Sequence, residues 1–288
     1  MAHTRKKRSH TQSVIAPGPR VCHPRLGRSD LCLPESILKE VAVSIGSPTA
    51  LSGQPLRQWM TRKTRCKTER CWIERSKINP QKKAVLIKRY FRPTMPDDWV
   101  NDPDEWLDSN NIDDVMKQYE EAYPEFKYFG SNPIDFSAPD PYNENNAKQG
   151  KCLNESICKL RLSEWMKQGK TKLGFIYNLD PSNKGGSHWI ASFTDIPGHK
   201  TYYFDSYGIK APPQIARFMR SMTLQDPKMK LAYNARRFQY GDTECGIYSL
   251  YFLIRMIEGD SFQGFCRKAP KDEEVMRLRK WLFSPKSE

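Results

Sequence analysis

Alternating hydrophobic and polar positions in the C-terminal half of the chain predict a β-sheet. Three such segments follow one another: "KLGFIYNLD" at 172–180, "SHWIASFTDI" at 187–196 and "KTYYFDSYG" at 200–208. The turn "PGHK" joins the last two, which predicts a hairpin of antiparallel strands. A fourth strand is predicted at "MKLAYNARRFQ", residues 229–239.

Hydrophobic residues three or four positions apart predict helices on both sides of these strands. One helix is predicted to begin at Cys245, because this spacing is shared by Ile247, Leu250, Tyr251 and Ile254. Other helices are predicted at 212–226, where a proline opens the segment, at 271–283, and at 154–169 with Asn154 as its cap.

An acidic segment ahead of these elements, "DEWLDSNNIDDVMKQYEEAY", also has helical spacing, shared by Trp106, Leu107, Ile112, Val115, Met116 and Tyr119. Helices before the strands, between them and after them are typical of the α+β class. We therefore predict an α+β fold with a central mixed or antiparallel sheet flanked by helices.

The charge of the chain changes sign near residue 94. Residues 1–93 contain 21 Lys and Arg against 5 Asp and Glu, a net charge of +16. Residues 94–288 contain 26 against 28, a net charge of −2. We predict a basic disordered tail at 1–30, a basic N-terminal arm at 31–93 and one larger domain at 94–288.

The basic arm favours nucleic acid or another polyanion as a partner. Short helices are predicted in it at "PESILKEVAVSI" (34–45) and "QPLRQWMTRK" (54–63). For the first ten residues alone, a solubilising or nuclear-targeting tail is an equally good interpretation.

Eight cysteines, at 22, 32, 66, 71, 152, 158, 245 and 266, raise the question of disulfides or metal binding. The basic N-terminus is followed by no apolar signal region, so we expect reduced thiols. Zinc binding by the first four cysteines with His23 is the alternative; it is disfavoured because their spacing is irregular and contains no CxxC pair. We therefore predict no metal. No apolar run of about 18 residues is present, so no membrane span is predicted.

Four polar residues of the predicted elements can form one reactive site. His188 lies at the start of one hairpin strand and Asp205 near the end of the other, so antiparallel pairing should make them neighbours. Cys245 at a helix N-terminus faces unpaired backbone N–H groups and the positive end of the dipole, which favours the thiolate. Gln239, six residues earlier, can donate its amide N–H to a developing oxyanion, and the backbone N–H of Cys245 is a second donor. We predict that Cys245 is a nucleophile, His188 its base and Asp205 the residue that orients His188.

Each residue has an ordinary alternative role when taken singly. Asp205 is equally explained as a turn cap, Gln239 as an exposed polar residue, His188 as a partly buried histidine and Cys245 as a small core residue. The combination of all four in compatible elements is much more specific than any one of them.

The segments "SHWIASF", "YYFDSYG" and "QYGDTECGIYSLYFL" resemble the His-Trp, Asp-Ser and Gln-x5-Cys-Gly motifs of one clan of cysteine proteases, the SUMO-protease and adenovirus-protease clan. Among its members, the polyprotein-processing proteases of large DNA viruses are the most similar. Glu244 departs from the clan, because many cellular members have Asp before the cysteine. The resemblance implies a papain-like α+β core, no cofactor, and cleavage after small residues, commonly Gly-Gly-X. It also implies that Trp106 and Trp189 form an aromatic clamp on the substrate.

The predicted function is a viral thiol endopeptidase that processes structural polyprotein precursors during particle maturation. The resemblance implies action in the host cytoplasm, at virus assembly sites, and in the virion; the basic tail leaves a nuclear location open. Three alternatives remain at this stage: a cellular-type SUMO or ubiquitin-like isopeptidase, a bacterial effector acetyltransferase, and a non-enzymatic basic protein that binds nucleic acid or capsid through a protease-like core.

Overall fold

A five-stranded mixed sheet forms the centre of the molecule in the computed structural model, which describes residues 21–26, 31–48, 50–139 and 152–285. The strands run in the order β1 (Phe126–Pro133), β2 (Lys172–Asn178), β3 (Trp189–Asp195), β4 (Lys200–Phe204) and β5 (Lys230–Tyr233). The outer pairs, β1 with β2 and β4 with β5, are parallel, and the inner pairs are antiparallel. The predicted hairpin is β3–β4. Most of the predicted tail at 1–30 lies outside the described residues.

Strand β1 was not predicted from the sequence. Its second half reads Gly130, Ser131, Asn132 and Pro133, which breaks the alternation typical of a strand. The pairing with β2 shifts register between Tyr128 and Ser131, so the strand continues past an irregularity that the pattern does not show.

Twelve α-helices lie in the described parts of the chain. In chain order they are α1 (Glu35–Val43), α2 (Gly53–Thr64), α3 (Glu69–Arg75), α4 (Pro80–Tyr90), α5 (Ser109–Ala122), α6 (Glu155–Cys158), α7 (Leu162–Lys167), α8 (Pro213–Gln225), α9 (Cys245–Ile257), α10 (Phe262–Arg267), α11 (Asp272–Met276) and α12 (Arg279–Leu282). The predicted helix that begins at Cys245 is confirmed as α9, and the predicted α+β class with helices flanking a mixed sheet is confirmed as well.

The helix predicted at 154–169 is wrong as a single element, because α6 and α7 are separated by three residues. Leu160, within the break, and Leu162, at the start of α7, are both buried, and one continuous helix would point them in different directions. The Gln225 side chain bridges the break, accepting from the Leu162 N–H at 2.9 Å and donating to the Leu160 carbonyl at 3.1 Å. Asn154 makes no capping hydrogen bond and instead donates to Asn132 Oδ1. The helix predicted at 271–283 is likewise two short helices, α11 and α12.

Trp106 and Leu107 lie before α5 and not on it, in contrast to the prediction from their spacing. Asp108 caps the helix: its carboxylate accepts from the Asn111 N–H at 2.7 Å, and Asn111 Oδ1 accepts from the Asp108 N–H at 3.1 Å. This capping box sets the first helical residue at Ser109 and leaves the two preceding residues in a loop.

The sheet buries apolar side chains on both faces. Ile176, Ala191 and Phe204 face α9, whose thirteen residues are all buried. Phe175, Ile190 and Tyr203, each one position away, face the opposite layer. This alternation is the two-residue period of a strand. Helix α9 is buried between one face of the sheet and the helices around it.

Residues of the arm, mostly from α1 to α4, form a third apolar cluster. Polar contacts connect this cluster to the rest of the molecule. Arg70 donates to the Ser284 hydroxyl and to Thr94 Oγ1, the latter at 2.7 Å, and Gln118 on α5 donates to the Phe91 carbonyl at 2.9 Å. The boundaries at residues 30 and 93 remain predictions.

Six of the eight cysteines are disulfide-bonded, so the expectation of reduced thiols does not hold for them. The pairs are Cys22–Cys32, Cys66–Cys71 and Cys152–Cys158, with Cα–Cα distances of 5.0, 5.6 and 6.7 Å. Each pair is close in sequence, and its Cα atoms lie within the range that a disulfide spans. Cys245 and Cys266 are the free thiols.

The described ranges contain no group of three or more His, Cys, Asp or Glu residues suited to hold a metal ion. Within those same ranges, none of the helices is long and apolar enough to cross a membrane.

Candidate active site

The hairpin brings His188 and Asp205 together. His188 immediately precedes β3 and Asp205 immediately follows β4, and the strands pair with Ala191 opposite Phe204. His188 Nε2 lies 2.9 Å from Asp205 Oδ1, and both residues are buried. The structure thus places next to each other two residues that are 17 positions apart in sequence.

Asp205 is fixed by contacts that the sequence pattern did not reveal. Its Oδ1 accepts from the Tyr207 N–H at 2.8 Å. The buried side chain of Asn234 accepts from the Asp205 N–H at 2.9 Å and donates to the Asp205 carbonyl at 2.6 Å. The Tyr207 ring stacks on the His188 ring, with centroids 4.8 Å apart. Both Asp205 and His188 are therefore held in one orientation by neighbours from the loop after β4 and from the segment after β5.

Cys245 is the second side-chain partner of His188, in addition to Asp205. It is the first residue of α9, next to the unpaired backbone N–H groups of the helix N-terminus, and it is 2% exposed. Burial alone would lower the pKa of His188, but hydrogen bonds to Asp205 and Cys245, and the charges of both, outweigh it and raise the pKa to about 9. The imidazole is therefore protonated at neutral pH, between a carboxylate and a thiol.

The raised pKa of His188 makes folding stability depend on pH. The folded-state value of about 9 exceeds the ordinary 6.5, so the folded chain binds this proton more tightly than the unfolded chain does. The resulting stabilisation is fully present below pH 6.5 and is lost as the pH rises through about 9. We expect the Tm of the wild-type chain to fall more steeply across this window than that of His188→Gln, as measured by thermal unfolding in a series of buffers. Parallel Tm profiles for the two proteins would contradict the assignment.

Gln239 lies near the site but not on a strand, because β5 ends at Tyr233. Its side chain is fully buried. The amide oxygen accepts from the Ser206 hydroxyl at 2.7 Å, and Nε2 donates to the Gly241 carbonyl at 3.0 Å and to Glu244 Oε2 at 3.1 Å. Both N–H groups of the amide are therefore in use inside the protein.

The two tryptophans border one cleft of about 580 Å³. Trp189 is buried, and its indole N–H donates to the Leu107 carbonyl at 2.8 Å. Trp106 is 42% exposed at the edge of the cleft. Leu107 also packs against the start of α9: a Cβ at position 246 would lie 2.9 Å from the Leu107 Cβ, so only glycine fits beside Cys245. The loop before α5 and the helix of Cys245 are therefore in direct contact.

Sequence comparisons show that the chain is similar to viral proteases. No family model matches it. A protein of Acanthamoeba polyphaga mimivirus, named as a thiol protease, is 32% identical over 189 residues, which cover 62% of this chain and 57% of that protein. A SUMO-1 cysteine protease of African swine fever virus is 24% identical over 278 residues, 93% of this chain and 97% of the relative.

The fold agrees with these relatives. The crystal structure of an African swine fever virus protease superposes with a TM-score of 0.69 at 22% identity, covering 95% of this chain and 98% of that one. This likeness establishes the fold, and the sequence relatives are named as thiol or cysteine proteases. The chain is thus similar to viral cysteine proteases, of which the African swine fever virus relative is named as a SUMO-1 cysteine protease.

Proposed function

We propose that the chain is an endopeptidase that processes viral structural polyprotein precursors after Gly-Gly-like sites during particle maturation. Its place of action would be the host cytoplasm, at assembly sites, and the virion. The observation that carries the proposal is the buried row of Asp205, His188 and Cys245 beside a cleft bordered by two tryptophans.

In this proposal Cys245 is the nucleophile. Its thiolate attacks the carbonyl carbon of the scissile bond, and protonated His188 then donates its proton to the leaving amine. Water hydrolyses the resulting thioester, with His188 now acting as base. Asp205 keeps Nε2 of His188 protonated, so that Nδ1 is the atom that exchanges a proton with the reacting groups. The Cys245 backbone N–H and the Gln239 amide are the proposed donors to the oxyanion.

The cleft supports the specificity for glycine. The indole of Trp189 cannot rotate away while its N–H is bound to the Leu107 carbonyl, so the cleft has a fixed aromatic wall next to His188. A residue without a side chain passes such a wall without a clash and lets the peptide backbone approach closely. Gly185 and Gly186 of the chain itself precede His188, but they line the cleft, and we interpret them as part of its wall and not as a self-cleavage site.

A peptide library that varies the residue before the cut tests the proposal. We expect Gly-Gly peptides to be cleaved fastest, Gly-Ala or similar small pairs more slowly, and bulky or charged residues slowest. Trp106→Ala should relax this order, because Trp106 is an exposed residue of the cleft wall. Trp165 packs on Phe129 outside the cleft, so Trp165→Ala is the control and should leave the order unchanged. Ubiquitin-like fusions measured alongside separate an isopeptidase from a polyprotein-processing enzyme. Equal rates for glycine and bulky residues would exclude the proposed clamp.

We also propose that the basic arm binds nucleic acid or another polyanion. The net charge of +16 over residues 1–93 supports this, since each neutralised phosphate releases counterions. We expect the full chain to bind DNA at low salt with a steep dependence of log K on log[salt]. Deletion of residues 1–20, which keeps the Cys22–Cys32 disulfide, should reduce that slope while peptide cleavage changes little. Absence of DNA binding at low salt would refute this second proposal.

A further inference from the structure

A series of hydrogen bonds between buried side chains connects the Asp205 side of the proposed active site to the Cys245 side. Ser206, the neighbour of Asp205, donates from its hydroxyl to Gln239 Oε1, and Gln239 Nε2 donates to Glu244, the neighbour of Cys245. Ser206 is 1% exposed, Gln239 is fully buried and Glu244 is 9% exposed. This series of hydrogen bonds therefore runs from the residue after the aspartate to the residue before the cysteine, through side chains that are at most 9% exposed.

The chemistry of these partners fixes the direction of the Gln239 amide. A carboxylate and a backbone carbonyl only accept hydrogen bonds, so Nε2 must face Glu244 and Gly241. A reversed amide would place its oxygen against two acceptors, and a buried acceptor left without a donor is costly. The N–H groups of Gln239 thus face the 241–245 turn, which leads into Cys245.

The two acceptors of Nε2 differ in strength. The bond to the Glu244 carboxylate is assisted by charge, whereas the bond to the Gly241 carbonyl is between neutral groups. The Gly241 carbonyl also accepts from the Tyr207 hydroxyl at 3.1 Å. The Gly241 carbonyl therefore keeps a donor when the Gln239 amide leaves it. For this reason, the Gln239 N–H that is bonded to the Gly241 carbonyl is easier to release than the one bonded to Glu244.

We propose that Glu244 is a positioning residue for Gln239: its carboxylate holds one N–H of the amide, and the other N–H moves from the Gly241 carbonyl to the oxyanion of the substrate. This inference rests on the proposed protease function and on the oxyanion role of Gln239 within it. It assigns a task to the acid that precedes the cysteine, in addition to its negative charge.

Gly241 provides a second way to disturb the same contact. A Cβ at position 241 would lie 2.6 Å from Glu244 Oε1 and 2.8 Å from Oε2. The atoms that would have to move are the end of a flexible side chain, and the backbone of Gly241 does not adopt the left-handed region. Gly241→Ala should therefore displace the carboxylate from Gln239 while the turn keeps its conformation.

The test compares peptide turnover with alkylation of Cys245 in the full-length chain. Turnover of a Gly-Gly-X peptide needs the oxyanion donors, whereas alkylation by iodoacetamide needs only the thiolate. Glu244→Gln and Gly241→Ala should lower kcat about tenfold to a hundredfold, less than the about 10²–10³ expected for loss of a donor. Alkylation rates and their pH profiles should stay within about twofold of wild type, and Glu244→Gln combined with Gln239→Ala should be no slower than Gln239→Ala alone. Asp242→Asn, which removes an exposed charge from the same turn, is the control and should have no effect.

Three outcomes would overturn the inference. Glu244→Gln with wild-type kcat would show that the contact with Gln239 does not matter for the reaction. Equal losses of turnover and alkylation would show that Glu244 acts on Cys245, on His188 or on folding. Additive effects in the double variant would show that Glu244 acts independently of Gln239. In each of these cases the wild type still cleaves its peptide, so the proposed function stands; a wild-type chain that cleaves none would instead refute the function, and the inference with it.

Discussion

Cys245→Ala should abolish peptide cleavage, whereas Cys266→Ala should leave it close to the wild-type rate. Cys245 lies at the start of α9 and interacts with His188, which is the proposed base for a thiol nucleophile. Cys266 has no histidine partner among the residues that the structure describes, and burial raises its pKa to about 11, so it stays protonated at neutral pH. The measurement is steady-state turnover of a Gly-Gly-X peptide by the two variants.

Alkylation gives an independent check on the nucleophile. The other six cysteines are paired in disulfides and are protected as long as no reductant is present. At neutral pH we expect about one label per chain, located on Cys245 by mass spectrometry, because the thiolate is the reactive form. Equal labelling of Cys245 and Cys266, or an active alanine variant at 245, would remove Cys245 from the reaction.

His188→Ala should be nearly as damaging as the loss of Cys245, because a base and its nucleophile act as a unit. In a studied serine protease, loss of either residue alone costs about 10⁶ in kcat, as much as loss of the whole triad. Asp205→Asn and Gln239→Ala should leave measurable activity. Loss of an orienting aspartate costs about 10⁴, and loss of one oxyanion donor costs about 10²–10³.

His199 supplies a matched control for this series. It also pairs with a carboxylate, with His199 Nδ1 2.6 Å from Asp226 Oδ2, but it lies in the turn between β3 and β4, at the opposite end of those strands from His188. Because its backbone has a φ of 52°, His199→Asn is the suitable replacement. This variant should retain wild-type turnover. A comparable loss for His199→Asn and His188→Ala, or unchanged kinetics for Gln239→Ala, would contradict the assigned roles.

The sequence alone predicted the parts of the site that depend on short-range order. The turn "PGHK" sets the register of β3 and β4, and this register places His188 next to Asp205. The hydrophobic spacing after Cys245 predicted the start of α9 correctly, and the change in charge near residue 94 is a property of composition. These features follow from hydrophobic periodicity and turn residues, which act over a few neighbouring positions.

Only the tertiary structure decided what surrounds these residues. Trp106 lies in a loop because Asp108, two residues later, caps the start of α5, although the spacing of Trp106 fits a helix. The anchoring of Asp205 by Asn234 joins residues 29 positions apart, and the contact of Trp189 with Leu107 joins residues 82 apart. The burial of Gln239 between Ser206 and Glu244, like the parallel pairing of β1 with β2, likewise depends on how separate segments pack. The sequence thus determined the type of most elements and the order of the candidate residues. Long-range packing determined the partners of those residues, because a local pattern of hydrophobic and polar positions does not specify which distant segment packs against it.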